Sequence, residues 1–95
     1  MSDDVELRNG LMKITFKLFA TLTDYLPPEA KYTNFIDVEV PPETTIGKMI
    51  ETYCLPEKWV HLVLVNGSYI APADRANYRL SEGDALAIWP PIAGG

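Results

Sequence analysis

Phe35-Ile36-Asp37-Val38-Glu39-Val40-Pro41-Pro42-Glu43-Thr44-Thr45-Ile46-Gly47-Lys48-Met49-Ile50 is the stretch where the hydrophobic period changes, and it decides the fold. Up to Val40 the pattern alternates, which places Ile36, Val38 and Val40 on one face of a strand. Pro41-Pro42 ends that strand, because proline has no N–H to give to a ladder. Thr44-Thr45 then offers an N-cap. Beyond it Ile46, Met49, Ile50, Tyr53 and Cys54 share one face of an amphipathic helix, stopped by Pro56. Cys54 is expected on that apolar face as a small buried hydrophobe.

Working outward, Met12 to Leu18 alternates again, with Ile14, Phe16 and Leu18 inward. Thr21 to Thr33 contains Pro27-Pro28 and reads as a loop with a short helical turn before the prolines. On the other side, His61-Leu62-Val63-Leu64-Val65 is a continuous apolar run, expected to be a central strand covered on one face by the helix. Asn66-Gly67 signals a hairpin, since both residues tolerate positive φ. A short strand from Tyr69 to Ala71 follows, closed by Pro72. Ser81-Glu82-Gly83-Asp84 is a second turn, leading into a last strand from Ala85 to Trp89. The fold class is α+β: a mixed sheet of four or five strands with one main helix across it. The crossover through that helix is expected to be right-handed. This layout is that of a β-grasp, or ubiquitin-like, domain.

With 95 residues the chain holds a single core. Residues 1–11 read as a flexible acidic arm, 12–91 as the domain and 92–95 as a flexible tail. No stretch approaches the ~20 apolar residues of a spanning helix. Met1-Ser2-Asp3-Asp4 is acidic where a secretory signal would be basic. Thirteen acids against 8 bases give a net charge of −5, which disfavours nucleic acid and suits docking onto a basic or apolar partner. One cysteine and one histidine offer no disulfide, no metal-ligand set and little nucleophilic chemistry. A cytoplasmic, non-enzymatic protein is expected.

The end of the chain, Trp89-Pro90-Pro91-Ile92-Ala93-Gly94-Gly95, is the informative feature. At ~7% glycine usage, about one chain in two hundred ends in two glycines. Lacking Cβ atoms, Gly94 and Gly95 suit passage through a narrow channel toward a nucleotide. The Gly95 carboxylate is then free to attack the α-phosphate of ATP, and a sulfur nucleophile to displace AMP and leave a thiocarboxylate. No side chain of this domain is needed as acid or base.

Asn66-Gly67, Leu80-Ser81-Glu82-Gly83-Asp84 and Trp89-Pro90-Pro91-Ile92-Ala93-Gly94-Gly95 resemble the MoaD/ThiS sulfur-carrier family. Phe16-Lys17-Leu18-Phe19-Ala20 fits that family's first strand, and the ending is closer to MoaD, the small subunit of molybdopterin synthase, than to ThiS. The resemblance implies activation of Gly95 by a MoeB-like adenylating enzyme using ATP and Mg²⁺ in trans, with no cofactor on this chain. It implies sulfur supply by a desulfurase or rhodanese-type donor, and delivery to a pterin precursor in a MoaE-like large subunit. The acidic arm and the longer Tyr25 to Asn34 loop depart from the family pattern. Delivery to thiamin or another metabolite is the alternative within the same chemistry. A ubiquitin-like modifier forming isopeptide bonds through Gly95 is the alternative of a different class, and an inert-tailed binding module is a further one.

Strand parity adds a docking face. With Phe16, Leu18, Leu86 and Ile88 inward, Phe19 and Trp89 point outward, as does Tyr69 when Ile70 is buried. These three aromatics, with Pro90, Pro91, Ile92 and Ala93, form the expected partner surface, near the tail. Lys13 and Lys17 are expected to be solvated, His61 structural and Asp84 a turn cap. Arg75 and Arg79 are weak candidates for meeting an acidic partner patch.

Overall fold

The computed structural model describes residues 10–30 and 32–91. The expected arm and the tail residues Ile92, Ala93, Gly94 and Gly95 therefore lie outside the described residues, apart from Gly10 and Leu11 of the arm. Five strands, β1 (Met12–Leu18), β2 (Phe35–Val40), β3 (Leu62–Val65), β4 (Ser68–Tyr69) and β5 (Ala85–Trp89), form one sheet in the order β2-β1-β5-β3-β4. β1 runs antiparallel to β2 and parallel to β5, and β5 runs antiparallel to β3. The sheet is mixed, with a helix on its inner face, as the period changes require. β5, the last strand, takes the middle position, and β3 sits one place outward of it.

Alternation converts directly into burial. Ile14, Phe16, Leu18, Val63, Val65, Leu86 and Ile88 are all buried on the inner face. Each fully buried side chain of this kind contributes about 1.5–3 kcal/mol relative to exposure. Ile36 and Val38 share that face but remain half-buried, because β2 is an edge strand.

The main helix, α1 (Ile46–Thr52), opens where expected: the Thr45 hydroxyl accepts the Lys48 N–H at 3.0 Å. Ile46 and Met49 join the core, with Ile50 and Tyr53 packed against it. The helix ends sooner than its period suggests. Tyr53 is the C-cap, and Cys54 follows in the left-handed region at φ 59°. Cys54 is consequently exposed, which corrects its expected burial. Pro56 disfavours helical backbone just before it, so the chain turns out of the helix early.

Two further segments differ from expectation. The loop after β1 holds two 3-10 helices, Ala20–Tyr25 and Pro28–Ala30, and buries Leu22, Leu26 and Ala30 as part of the core. Pro72 does not merely close β4. It starts a one-turn helix, α2 (Pro72–Arg75), and β4 itself is only Ser68–Tyr69. α1 lies so close to the end of α2 that a Cβ on Gly47 would stand 3.0 Å from the Ala76 Cα.

The Tyr53 ring packs on Phe16 at 4.7 Å between centroids, and burial pushes its phenol above the ordinary value of 10.0. Unfolded Tyr53 ionises first as pH rises through 10, so its contribution falls from that point until the folded phenol also ionises. Tyr53→Phe should show a shallower loss of stability above pH 10 than the parent in urea unfolding. An unchanged slope would contradict a desolvated phenol.

Candidate functional site

Two of the sequence motifs meet at one end of β5. Asn66 and Gly67 adopt φ 53° and 85°, the pair of left-handed residues that a tight hairpin requires. Asp84 ties this hairpin to the following turn. One carboxylate oxygen accepts the Ser81 N–H and the other accepts the Asn66 side-chain amide, both at 2.8 Å. Asn66 in turn accepts the Ala85 N–H through its side chain at 2.9 Å. Gly83, at φ 85°, donates its N–H to the Lys13 carbonyl at 2.8 Å. Asp84 is thus a turn cap, as its position suggests, and it also locks β5 into line with β1.

At the other end of β5 the chain leaves the sheet. Phe19 continues the β1–β5 register by donating its N–H to the Ile88 carbonyl at 3.2 Å. Its ring stacks on Trp89 with centroids 4.1 Å apart and planes 3° apart. Pro90 is buried and Pro91 exposed at the exit. The Ile92, Ala93, Gly94 and Gly95 positions lie beyond the described residues.

Tyr69 corrects the expectation of one three-aromatic patch. It does face outward and is 58% exposed, while Ile70 is buried. But it pairs with Leu64, which pairs with Ala87, so one strand, β3, separates it from the Trp89 column, and it does not join the Phe19–Trp89 stack. Leu62, paired with Trp89, and Leu64 connect the two ends across the same outer face. Phe35, opposite Lys17 and 43% exposed, belongs to this face as well. Parity opposite Ile36 carried that signal. Trp59 is a further aromatic that periodicity misses, because it lies on the 3-10 helix Glu57–Trp59 between α1 and β3.

Two grooves flank this face. One, of about 820 Å³, opens beside the exit of β5 and is lined by Tyr25, Trp59, Trp89 and Pro91 among others. The second, of about 640 Å³, lies between α1 and the β3–β4 edge and includes His61, Tyr69 and Arg75.

Arg75 is not a partner contact. It is only 7% exposed, and its guanidinium donates to the carbonyls of Ile70 at 3.0 Å, His61 at 3.1 Å and Val60 at 3.5 Å. The guanidinium also sits 6.0 Å from the Tyr69 ring centroid. A fork of rigid donors that satisfies three main-chain acceptors is a structural staple. Arg79 and His61 are exposed, and Thr45 forms an isolated bridge with Arg79. Lys13 is exposed, Lys17 half-buried. Among the described residues, no three acidic, histidine or cysteine side chains cluster as metal ligands, and no helix is long and apolar enough to cross a membrane.

A family model described as Mut7-C ubiquitin matches residues 11–93. The chain belongs to this ubiquitin-like family. Its fold recurs in solved structures. The HVO 2177 protein of Haloferax volcanii is 24% identical, with 90% of this chain and 89% of that one covered and a TM-score of 0.70. SAMP1 of the same organism is 24% identical over 87% and 99% of the two chains, at 0.60. The putative molybdopterin converting factor subunit 1 of Pyrococcus furiosus is 19% identical over 85% and 99%, at 0.62. A comparison with curated protein sequences finds no match. At these identities the likeness is one of fold, and it confirms the β-grasp reading. For the Mut7-C ubiquitin domain the role of Arg75 is separable from any docking role. Arg75→Ala should lower stability by about 2–4 kcal/mol, because one buried and two part-buried main-chain acceptors lose their donors. The urea midpoint measures it, and a shift within error would return Arg75 to the surface candidates.

Proposed function

We propose that this chain is a carrier activated in trans, which docks through the outer sheet face around Phe19 and Trp89 and presents Gly95 to partner enzymes. The supporting observation is the stacked Phe19–Trp89 pair at the point where β5 runs into the Pro90-Pro91 exit. A large aromatic surface there gives a partner its grip within a few residues of the reactive carboxylate. On this reading Ile92 and Ala93 line the partner's channel, and Gly94 and Gly95 enter its active site.

The chemistry follows from the carboxylate. A MoeB-like adenylating enzyme, with ATP and Mg²⁺, forms the acyl-adenylate and releases pyrophosphate. The terminal sulfur of a persulfide on a desulfurase or rhodanese-type donor displaces AMP to give an acyl disulfide. A second thiol cleaves its S–S bond and ends in a disulfide with the donor, and the thiocarboxylate so released donates sulfur in a MoaE-like large subunit. The fold likeness to the putative molybdopterin converting factor subunit 1 supports the pterin destination. This chain is then the non-catalytic small subunit of a synthase. Likeness to SAMP1, and to a second structure described as small archaeal modifier protein 1, supports a reading from another class. There, the same adenylate is attacked by lysines, and the product is a protein conjugate.

Intact mass after incubation with ATP, a MoeB-like enzyme and a sulfide source tests the carrier reading. It should rise by the exchange of one oxygen for sulfur, and a chain lacking Gly95 should show no rise. High-mass conjugates that survive reducing agent, with no such exchange, would favour the modifier. Trp89→Lys should weaken binding to a MoaE-like subunit by at least about tenfold, as loss of an interface anchor does, while circular dichroism stays native. Unchanged affinity would remove this face from the interface.

A further inference from the structure

We infer that the free edge of β2 docks an extended partner segment in which basic side chains alternate with apolar ones. β2 is the outermost strand on its side of the sheet. Its hydrogen-bond parity is fixed by β1. The Thr15 and Phe19 N–H groups serve β5 and its turn, donating to the carbonyls of Asp84 at 2.9 Å and Ile88 at 3.2 Å. The Leu18 N–H instead donates to the Asn34 carbonyl at 3.0 Å. Even-numbered residues of β1 thus address β2, and their partners are Asn34, Ile36, Val38 and Val40. The N–H and carbonyl groups of Phe35, Asp37 and Glu39 therefore point away from the sheet. The Phe35 carbonyl is engaged by the Thr33 hydroxyl at 3.2 Å. Among the described residues, Asp37 and Glu39 keep both main-chain groups open.

A strand laid on this edge continues the ladder, and its side chains alternate in step with those of β2. Those opposite Ile36 and Val38 fall on the inner face. They cover two apolar residues that remain half-buried because β2 has no outer neighbour. Those opposite Asp37 and Glu39 fall on the outer face, where both residues are exposed. Lys13 and Lys17 lie one strand further in, so carboxylates are the first charges the segment meets. The Thr15 hydroxyl donates to one Asp37 oxygen at 2.8 Å, which leaves the negative charge in place. Glu39 stands opposite Lys13, yet among the described residues it has no ion pair. Opposite charges facing each other across two strands are favourable, and like charges are not. The longest antiparallel pairing of two β2 edges would set Asp37 against its own copy, so the occupant is a basic segment and not a second chain. The inference uses neither Gly95 nor the Phe19–Trp89 surface.

The test titrates the whole chain with a capped Lys-Val-Lys-Val-Lys peptide and its Glu-Val-Glu-Val-Glu counterpart, followed by heteronuclear NMR. In the chain alone the Asp37 and Glu39 amides should exchange rapidly with solvent. The basic peptide should shift both signals saturably and slow their exchange. It should bind at least about fourfold more tightly than the acidic one. The double variant Asp37→Lys, Glu39→Lys should reverse that preference. Asp37→Pro removes an N–H that β1 does not use, and should abolish the slowed exchange of Glu39. The remaining amide signals report whether each variant is folded. Amides already protected in the chain alone would mean that another part of the chain covers this edge, and would overturn the proposal. So would equal binding of the two peptides, an unchanged preference in the folded double variant, or shifts without slowed exchange. The last of these would mean diffuse attraction to an acidic surface.

Discussion

The parallel pairing of β1 with β5 is the constraint on which the rest of the structure depends. It joins the first strand to the last, with Thr15 opposite Ala85 and Leu18 opposite Ile88. The turn at Asp84 sets this register from one end, since its Gly83 N–H donates to the Lys13 carbonyl, while the Thr15 and Lys13 N–H groups of β1 donate to the Asp84 carbonyl and the Glu82 carboxylate. A slip of one residue would exchange the two faces of β5. Trp89 would then turn into the core and Ile88 out to solvent, and the Phe19 stack would be lost. The turn at Asp84 and the aromatic surface at Trp89 are thus two ends of one strand, and the first determines what the second displays.

Charge is divided between interior and surface in an unusual way for so small a domain. Among the described residues, the buried arginine, Arg75, spends its donors on carbonyls at the β3–β4 edge. The groove near the β5 exit is lined by aromatic rings and prolines instead.

Much of this was legible in the amino-acid order. Period two at Met12 to Leu18 and Phe35 to Val40, and the change of period at Thr45, carry the sheet, the helix and the inner face. Phe19 and Trp89 follow from parity alone. The misses have physical causes. Cys54 falls at a helical spacing, but spacing does not reveal that the backbone has already turned left-handed ahead of Pro56. Arg75 carries no sequence sign of burial, because only the fold brings three carbonyls within reach of one guanidinium. Tyr69 was assigned its face correctly but not its neighbours, since parity says nothing about which strands lie between two side chains. Trp59 lies on a single 3-10 turn, too short for any period to show.

The middle position of β5 also bears on how the molecule is made. A ribosome delivers β1 early, yet β1 lacks its parallel neighbour until residues Ala85 to Trp89 have emerged. Until then Ile14, Phe16 and Leu18 have no completed inner face to join. Pairing across such a span is slow compared with local structure, and unfinished chains are exposed to aggregation in the interval. A chain cut short before β5 has neither the completed sheet nor the Phe19–Trp89 stack, so the inner face and the aromatic surface are both made by the last strand to emerge.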